Sequence, residues 1–322
     1  MQWKTITIVG VGLLGGSIGL CCRHTGIAAR VVGLVRRPQS IKECVEAGAV
    51  DYATTDPGEA ISESELVILC TPIGQMVPVV KTMLPYLQKG TIVTDVGSVK
   101  WLVVKQLEPL ISRANGYFVG AHPMAGSEKT GVANARGELF RGAVCVITPT
   151  TKTNRAALCN VKSFWQALGA TTLEMPPYIH DRLVAYGSHL PHVTAVSLVR
   201  TVLNGKRNQQ EYLCASGFRD STRVASSSDQ MWCDILATNN KNVIKAIDDF
   251  IRELRRFRTA IAKGDRCAIG RFLNKAKQQR DNWCLLKEKN SMATYFTPLQ
   301  QGAQIKIEYG EKQPPNCTQQ LM

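Results

Sequence analysis

The run Ile6-Thr7-Ile8-Val9-Gly10-Val11-Gly12-Leu13-Leu14-Gly15-Gly16-Ser17 places a G-x-G-x-x-G directly after an apolar stretch and directly before helix-forming residues. Its context matters more than its glycines. In a strand-turn-helix the first glycine turns the chain, the second lets backbone approach a pyrophosphate, and the third seats the helix, whose N-terminus faces the anion. An amphipathic stretch with Ile18, Leu20, Cys21 and Cys22 follows, and a second strand over residues 29–35 completes a βαβ unit. Gly10, Gly12, Leu13, Leu14 and Gly15 are therefore the candidate dinucleotide cradle.

The end of the second strand selects the cofactor. An NAD site normally carries Asp or Glu there for the ribose hydroxyls, whereas a 2′-phosphate calls for positive charge. Here the chain reads Val35-Arg36-Arg37-Pro38-Gln39-Ser40, without a carboxylate. The guanidiniums of Arg36 and Arg37 suit a bidentate phosphate grip, so NADP is favoured and NAD is the alternative.

Strand and helix patterns alternate through the first half of the chain. Strands are expected at 66–70, ending in Thr71-Pro72-Ile73, and at 91–95, closed by Gly97-Ser98-Val99-Lys100. Two more are expected at 117–120 and 143–147, with helices near 41–47 and 76–87. This is the rhythm of an α/β, doubly wound, Rossmann-type sheet. From His180 onward the spacing turns helical, with helices expected at 181–204, 208–215, 229–239, 241–262 and 265–287. Pro176-Pro177 marks the boundary. The chain thus divides into a dinucleotide-binding domain (1–175), an all-α substrate and dimerisation domain (176–290) and a polar tail (291–322) expected to be disordered.

Composition narrows the function classes. No apolar run approaches the length of about 18 residues that a membrane span needs, and Met1-Gln2-Trp3-Lys4 leads into a strand without a leader pattern. A cytoplasmic protein is expected. The 11 cysteines are odd in number and form no C-x-x-C, so they read as reduced packing residues. His189 and His192 near His180 and Asp181 match no metal pattern, and no metal is expected. The net charge of +14 is concentrated between Arg252 and Arg280, where ten Lys or Arg face only Glu253 and Asp265. Apolar residues recur between those charges at helical spacing, which describes a solvated helix face rather than a nucleic-acid groove. The same field steers small anions.

Ligands of doubly wound sheets bind at the carboxyl ends of strands. Thr71-Pro72, the stretch 95–100 and the stretch 122–127 are polar ends of this kind. His122, directly after the strand 117–120, is a candidate base for a hydroxyl proton as hydride leaves the same carbon. In the helical half, Ser188 and His192 stand four apart around Pro191, Arg219 and Arg223 stand four apart, and Ser228-Asp229 can cap the helix that carries Trp232.

Taken together, these strings resemble the prephenate and arogenate dehydrogenase family of tyrosine biosynthesis. The likeness runs from Ile6 to about Lys287 and rests on Gly10-x-Gly12-x-x-Gly15, Asp95-Val96-Gly97-Ser98-Val99-Lys100, His122-Pro123-Met124-Ala125-Gly126-Ser127-Glu128, His180-Asp181, Ser188-His189-Leu190-Pro191-His192 and Gly217-Phe218-Arg219-Asp220-Ser221-Thr222-Arg223. The resemblance implies oxidative decarboxylation of prephenate to 4-hydroxyphenylpyruvate, or alternatively of arogenate to tyrosine. It implies that His122 accepts the ring C4 hydroxyl proton and that Ser98 hydrogen-bonds both that histidine and the hydroxyl. Arg223, oriented by Asp181, would hold a substrate carboxylate, while Ser127, His192, Ser188 and Trp232 would complete the pocket. It also implies a homodimer paired through the helical half. Arg36-Arg37 departs from the acidic residue common in the family, and His192 with Ser127-Glu128 favours prephenate. A β-hydroxyacid dehydrogenase shares the sheet but lacks the His-Pro-Met-Ala-Gly string; a cofactor-sensing protein without catalysis is the remaining alternative.

Overall fold

A computed structural model describes residues 3–204 and 209–296, with side chains described as far as Leu286. The strands are β1 (Trp3–Val9), β2 (Ala28–Leu34), β3 (Tyr52–Thr54), β4 (Leu66–Leu69), β5 (Ile92–Asp95), β6 (Tyr117–Pro123), β7 (Val144–Thr148) and β8 (Thr171–Glu174). They form one sheet in the order β3-β2-β1-β4-β5-β6-β7-β8, parallel throughout except between β6 and β7. The order reverses between β1 and β4, which opens a crevice at the carboxyl ends of those strands.

Helices α1 (Leu13–Thr25), α2 (Gln39–Glu46), α3 (Pro57–Ile61), α4 (Ile73–Met83), α5 (Trp101–Arg113) and α6 (Arg155–Ala167) cover the two faces. Central strands are therefore buried on both sides and read as unbroken apolar runs, as in Leu66-Val67-Ile68-Leu69. One face packs Ile6, Ile8, Ile18 and Ile68, and the other packs Val9, Leu69, Val93 and Leu107.

β6 changes partners part-way. Phe118 and Val119 pair with β5, whereas Gly120, Ala121, His122 and Pro123 pair antiparallel with β7. His122 thus lies within the strand rather than after it, because β7 continues the ladder beyond the end of β5 at Asp95. The short strand β8 was absent from the sequence pattern; only Thr172 of its four residues is buried.

The second half comprises α7 (Pro177–Val184), a π-turn (Ala185–His189), α8 (Leu190–Leu203), α9 (Ser216–Thr222), a 3-10 turn (Arg223–Ser226), α10 (Asp229–Thr238), α11 (Asn240–Ala262) and α12 (Arg266–Phe296). The helix expected at 181–204 begins earlier, with Pro177 in its first turn, and is interrupted by the π-turn just before Pro191. Proline has no N–H to continue an α ladder, and a wide turn accommodates that loss. The helix expected at 208–215 is a 3-10 turn over Gln209–Leu213, and residue 208 lies outside the described residues.

α12 extends to Phe296, past the boundary expected at 290; from Lys287 to Phe296 it holds neither Gly nor Pro. The rest of the expected tail, 297–322, lies outside the described residues. Among the described residues no helix is long and apolar enough to cross a membrane.

Candidate active site

The glycine loop carries three distinct constraints. Gly10 has φ +90°, and a side chain there would press on Thr71 at 3.0 Å and on the Cys70 carbonyl at 3.2 Å. Gly15 has no room either, since a Cβ would overlap the Gly10 carbonyl. Gly12 differs. Nothing lies within 4 Å of where its Cβ would stand, so the protein itself does not require glycine there. The first helical hydrogen bond of α1 runs from Gly16 N–H to the Gly12 carbonyl at 2.8 Å. The N–H groups of Leu13, Leu14 and Gly15 precede it and remain for an anion. Open space beside free amides fits a pyrophosphate.

Arg36 and Arg37 follow β2, are exposed, and make no ion pair among the described residues. Thr71 closes the far wall of the crevice after β4; its hydroxyl is buried and has no protein partner. Pro72 caps α4 and is exposed.

His122 sits at the next strand end, 8% exposed. A fully buried ion pair between Lys100 and Asp95 fixes the backbone beside it. Lys100 Nζ donates to the Ala121 carbonyl at 3.0 Å, and Asp95 accepts from the Ala121 N–H at 3.1 Å and from the Gly97 N–H at 2.9 Å. Such extra hydrogen bonds are what make a buried pair tolerable. Gly120 is required as well, because a Cβ there would meet Val104 of α5 at 2.8 Å.

His122 Nδ1 lies 2.8 Å from His180 Nε2, and His180 Nδ1 lies 2.7 Å from Asp181 Oδ1. The Asp181 carboxylate in turn accepts two N–H groups at the start of α5, from the N-cap residue Lys100 at 2.7 Å and from Trp101 at 2.9 Å. α5 has no capping side chain of its own, so Asp181 supplies the cap from the other half of the chain. The role assigned to Asp181 from the resemblance therefore needs correcting. It does not orient Arg223; its two oxygens are committed to the helix and to His180.

Ser98, half-buried in the loop after β5, makes no hydrogen bond to His122 here; the imidazole turns its Nδ1 to His180 instead. Arg223 also departs from expectation. Its side chain is 62% exposed and its carboxylate partner is Glu128, at 2.5 Å. The guanidinium stands on the 3-10 turn after α9, not on a helix face shared with Arg219. Ser127 is exposed and its hydroxyl accepts from the Lys129 N–H at 3.1 Å.

His192 is buried and stacks on Trp232, with ring centroids 3.5 Å apart and planes 4° from parallel. His189 meets the same indole edge-on at 5.9 Å. Within the π-turn His189 is buried and Ser188 half-buried. Asn239 ties this group to the previous one, donating to the Asp181 carbonyl at 2.8 Å and approaching His189 Nδ1 at 3.2 Å. Lys100, His180, His189 and Asn239 are the site residues to which the sequence reading gave no role. Lys100, His180 and His189 each stood inside a string that carries the resemblance; Asn239 carried no signal.

Among the described residues, six buried side-chain polar atoms have no protein partner, and four belong here: Thr71 Oγ1, His189 Nε2, His192 Nδ1 and Trp232 Nε1. Orphaned polar atoms of this kind mark a place for water or ligand. Burial holds the His122 imidazole well below the usual histidine range, with His180, Lys100 and His189 acting in the same direction. Burial also lowers His180, against the raising influence of Asp181, and lowers His189 to about 4. The cluster is thus neutral at physiological pH. No three His, Cys, Asp or Glu among the described residues are grouped to hold a metal.

Comparison with known proteins now assigns the family. The prephenate dehydrogenase nucleotide-binding domain matches residues 18–174, and the prephenate dehydrogenase dimerization domain matches residues 176–275. The chain belongs to the prephenate dehydrogenase family. Prephenate dehydrogenase of Bacillus subtilis (strain 168) is 32% identical over 91% of this chain and 79% of that protein. The A. aeolicus prephenate dehydrogenase structure, in complex with hydroxyphenyl propionate and NAD+, superposes with a TM-score of 0.82 at 33% identity, covering 88% of this chain and 99% of that one. Arogenate dehydrogenase of Synechocystis superposes with a TM-score of 0.74 at 30% identity, over 87% of this chain and all of its own (100%). The family is one of NAD(P)-dependent oxidoreductases, with a Rossmann-type nucleotide domain joined to a helical domain.

Proposed function

We propose that this protein catalyses the oxidative decarboxylation of prephenate to 4-hydroxyphenylpyruvate, with NADP+ as the preferred oxidant, in the cytoplasm. The observation that carries the reading is the buried, neutral His122, whose Nδ1 is occupied by His180 and whose Nε2 is left as the free ring nitrogen. Nε2 takes the proton of the ring C4 hydroxyl, and Ser98, whose hydroxyl has no hydrogen-bond partner among the described residues, is free to orient that hydroxyl. A nicotinamide held in the crevice would supply the acceptor for the hydride of C4. The ring carboxylate leaves as CO2, the electron pair of its C–C bond makes the ring aromatic, and the C4 oxygen takes its proton back from His122. The glycine loop with Gly10, Gly12, Leu13, Leu14 and Gly15, together with Thr71 and Pro72, would hold the cofactor, and Arg36 and Arg37 would take its 2′-phosphate.

Arg223, Ser127, Ser188, His192 and Trp232 bind the rest of the substrate. His192 and the Trp232 indole form one wall, and Arg223 exchanges Glu128 for a substrate carboxylate. Arogenate is the alternative substrate, favoured by the family neighbour that uses it. The match of residues 176–275 to a dimerization domain supports a homodimer. Ile244, Leu254, Ile261 and Leu273 give α11 and α12 the exposed apolar surface for it.

The deciding experiment follows reduced-cofactor absorbance with prephenate or arogenate and with NADP+ or NAD+. Prephenate with NADP+ is expected to give the highest kcat/KM, and Arg36→Ala/Arg37→Ala to raise the KM for NADP+ at least about tenfold with little effect on NAD+, since one charge-assisted phosphate contact is worth about 1.5–3 kcal/mol. Turnover of neither acid overturns the assignment. Equal or better use of NAD+ by the unaltered protein overturns the cofactor preference.

A further inference from the structure

The two-histidine chain that ends on Asp181 has a direction, and that direction follows from donors and acceptors alone. A carboxylate only accepts, and Asp181 already takes two backbone N–H groups from α5. His180 Nδ1, 2.7 Å from it, must therefore carry a proton. In a neutral imidazole the other nitrogen is then a lone pair, so His180 Nε2 accepts from His122 Nδ1 across 2.8 Å. That leaves the His122 lone pair on Nε2.

We propose that His180 is a positioning residue for the reaction: it accepts the Nδ1–H of His122, is itself held by Asp181, and so keeps Nε2 of His122 as the unprotonated nitrogen that meets the substrate hydroxyl. The inference rests on His122 being the base. His180 touches neither substrate nor cofactor in this scheme. It acts through the tautomer of its neighbour, and through the positive charge that neighbour acquires once it has taken the hydroxyl proton, because an acceptor backed by a carboxylate stabilises imidazolium. The charged and titratable groups around the pair are Asp181, Asp95, Lys100 and His189; Asp181 and Asp95 favour its protonation, whereas Lys100 and His189 oppose it, and His180, which opposes charging of His122 only when it is itself charged, is lowered by burial and so faces His122 as a neutral acceptor. Burial of both rings (His122 8% and His180 1% exposed) excludes the water that would otherwise let the tautomers interchange freely.

Two substitutions separate this role from mere packing. Asn at 180 places its polar atoms near Nδ1 and can still meet Asp181, but cannot reach His122. Gln reaches the Nε2 position and can still accept from His122, but loses Asp181. His180→Asn is expected to lower kcat about 100-fold with the substrate KM within about twofold, and to move the acid limb of the kcat profile to lower pH; His180→Gln is expected to retain kcat within about tenfold. Histidine 15N spectra of the whole protein, with the His122 signals assigned through His122→Asn, give the tautomer without substrate. They are expected to show His122 protonated on Nδ1 in the unaltered protein and a mixture in His180→Asn.

Wild-type kcat and pH profile in His180→Asn, or an unaltered His122 tautomer, overturn the proposal. So does an equal loss in both variants with an unshifted profile, which would mean packing alone. Since the spectra need no substrate, an unaltered protein inactive on both acids but with His122 in the Nδ1–H form would sink the substrate assignment while supporting this one.

Discussion

The cofactor loop and the histidine cluster are made in opposite ways. Gly10, Gly12 and Gly15 lie within six consecutive residues and act through backbone: a positive φ, an open space, a close approach. The histidine cluster acts through side chains delivered by four separated segments, with Lys100 and Asp181 81 residues apart in sequence. A backbone site fails locally when a Cβ intrudes. A side-chain relay fails at whichever link loses its donor or acceptor, and it can fail while the fold stands.

The largest effect expected from this contrast is at the end of the relay. His122→Asn removes the base without enlarging the side chain, so kcat is expected to fall about 10³-fold, within the usual range for a general base, while the KM for cofactor stays within about threefold. Steady-state kinetics at saturating substrate test it. A variant that keeps a tenth of the activity would place the base elsewhere and leave the cluster a structural one.

Acid stability is the next way to sharpen the comparison, since the backbone site has nothing to titrate and the relay has three lowered histidines. His122, His180 and His189 are all held below the ordinary value of 6.5 in the folded protein. As pH falls below that value the unfolded chain binds protons that the folded chain refuses, so their contribution is complete above about pH 6.5 and is lost progressively as the solution is acidified. For His189 the loss continues down to its folded value of about 4. Each such group tilts stability by up to about 1.4 kcal/mol per pH unit. Urea midpoints at pH 7.5, 6.5 and 5.5 are expected to drop mainly over the last interval, and His189→Asn to flatten that drop. A midpoint that does not change down to pH 5.5 would show that these rings accept protons in place.

The contrast also explains what the sequence disclosed. The glycine loop was legible because its geometry is local, and the doubly wound class followed from the strand-helix alternation of the first half, whereas the short strands β3 and β8 and the antiparallel step from β6 to β7 left no such pattern. His122 could be picked out as polar at a strand end, but its strand is longer than its apolar run because β7, not β5, supplies the last partners. Asp181 was found and given the wrong partner, since no local pattern announces that α5 lacks its own cap. Pro191 was visible as a helix disturbance, yet periodicity cannot foresee the π-turn over Ala185–His189 that buries His189 beside the cluster.

Within the loop, Gly12 and Gly15 should separate cleanly. Gly15→Ala forces a Cβ onto the Gly10 carbonyl and is expected to destabilise by about 1–3 kcal/mol, the cost of overpacking a tight contact. Gly12, with φ −96° and ψ −147°, is not in the left-handed region that favours glycine, and the space around it is empty. Gly12→Ala is therefore expected to leave the melting temperature within about 2 °C and to raise the KM for the nicotinamide cofactor about tenfold. Equal thermal losses in both variants would mean that the space beside Gly12 is not kept for a ligand.

The smallest effect belongs to Arg223, where the two halves meet through a pair rather than a buried network. A side chain 62% exposed and bonded to Glu128 resembles a surface ion pair, which solvent screens and which adds little to stability. Arg223→Ala should leave unfolding nearly unchanged. Its effect belongs in binding: a substrate carboxylate that displaces Glu128 gains only the difference between two carboxylates on one guanidinium, so the substrate KM is expected to rise about tenfold or less, with kcat nearly constant. Glu128→Gln frees the guanidinium and should lower that KM. The two KM changes therefore have opposite signs if Arg223 holds substrate, and the same sign if the pair does nothing but fasten the 124–131 segment to the helical half.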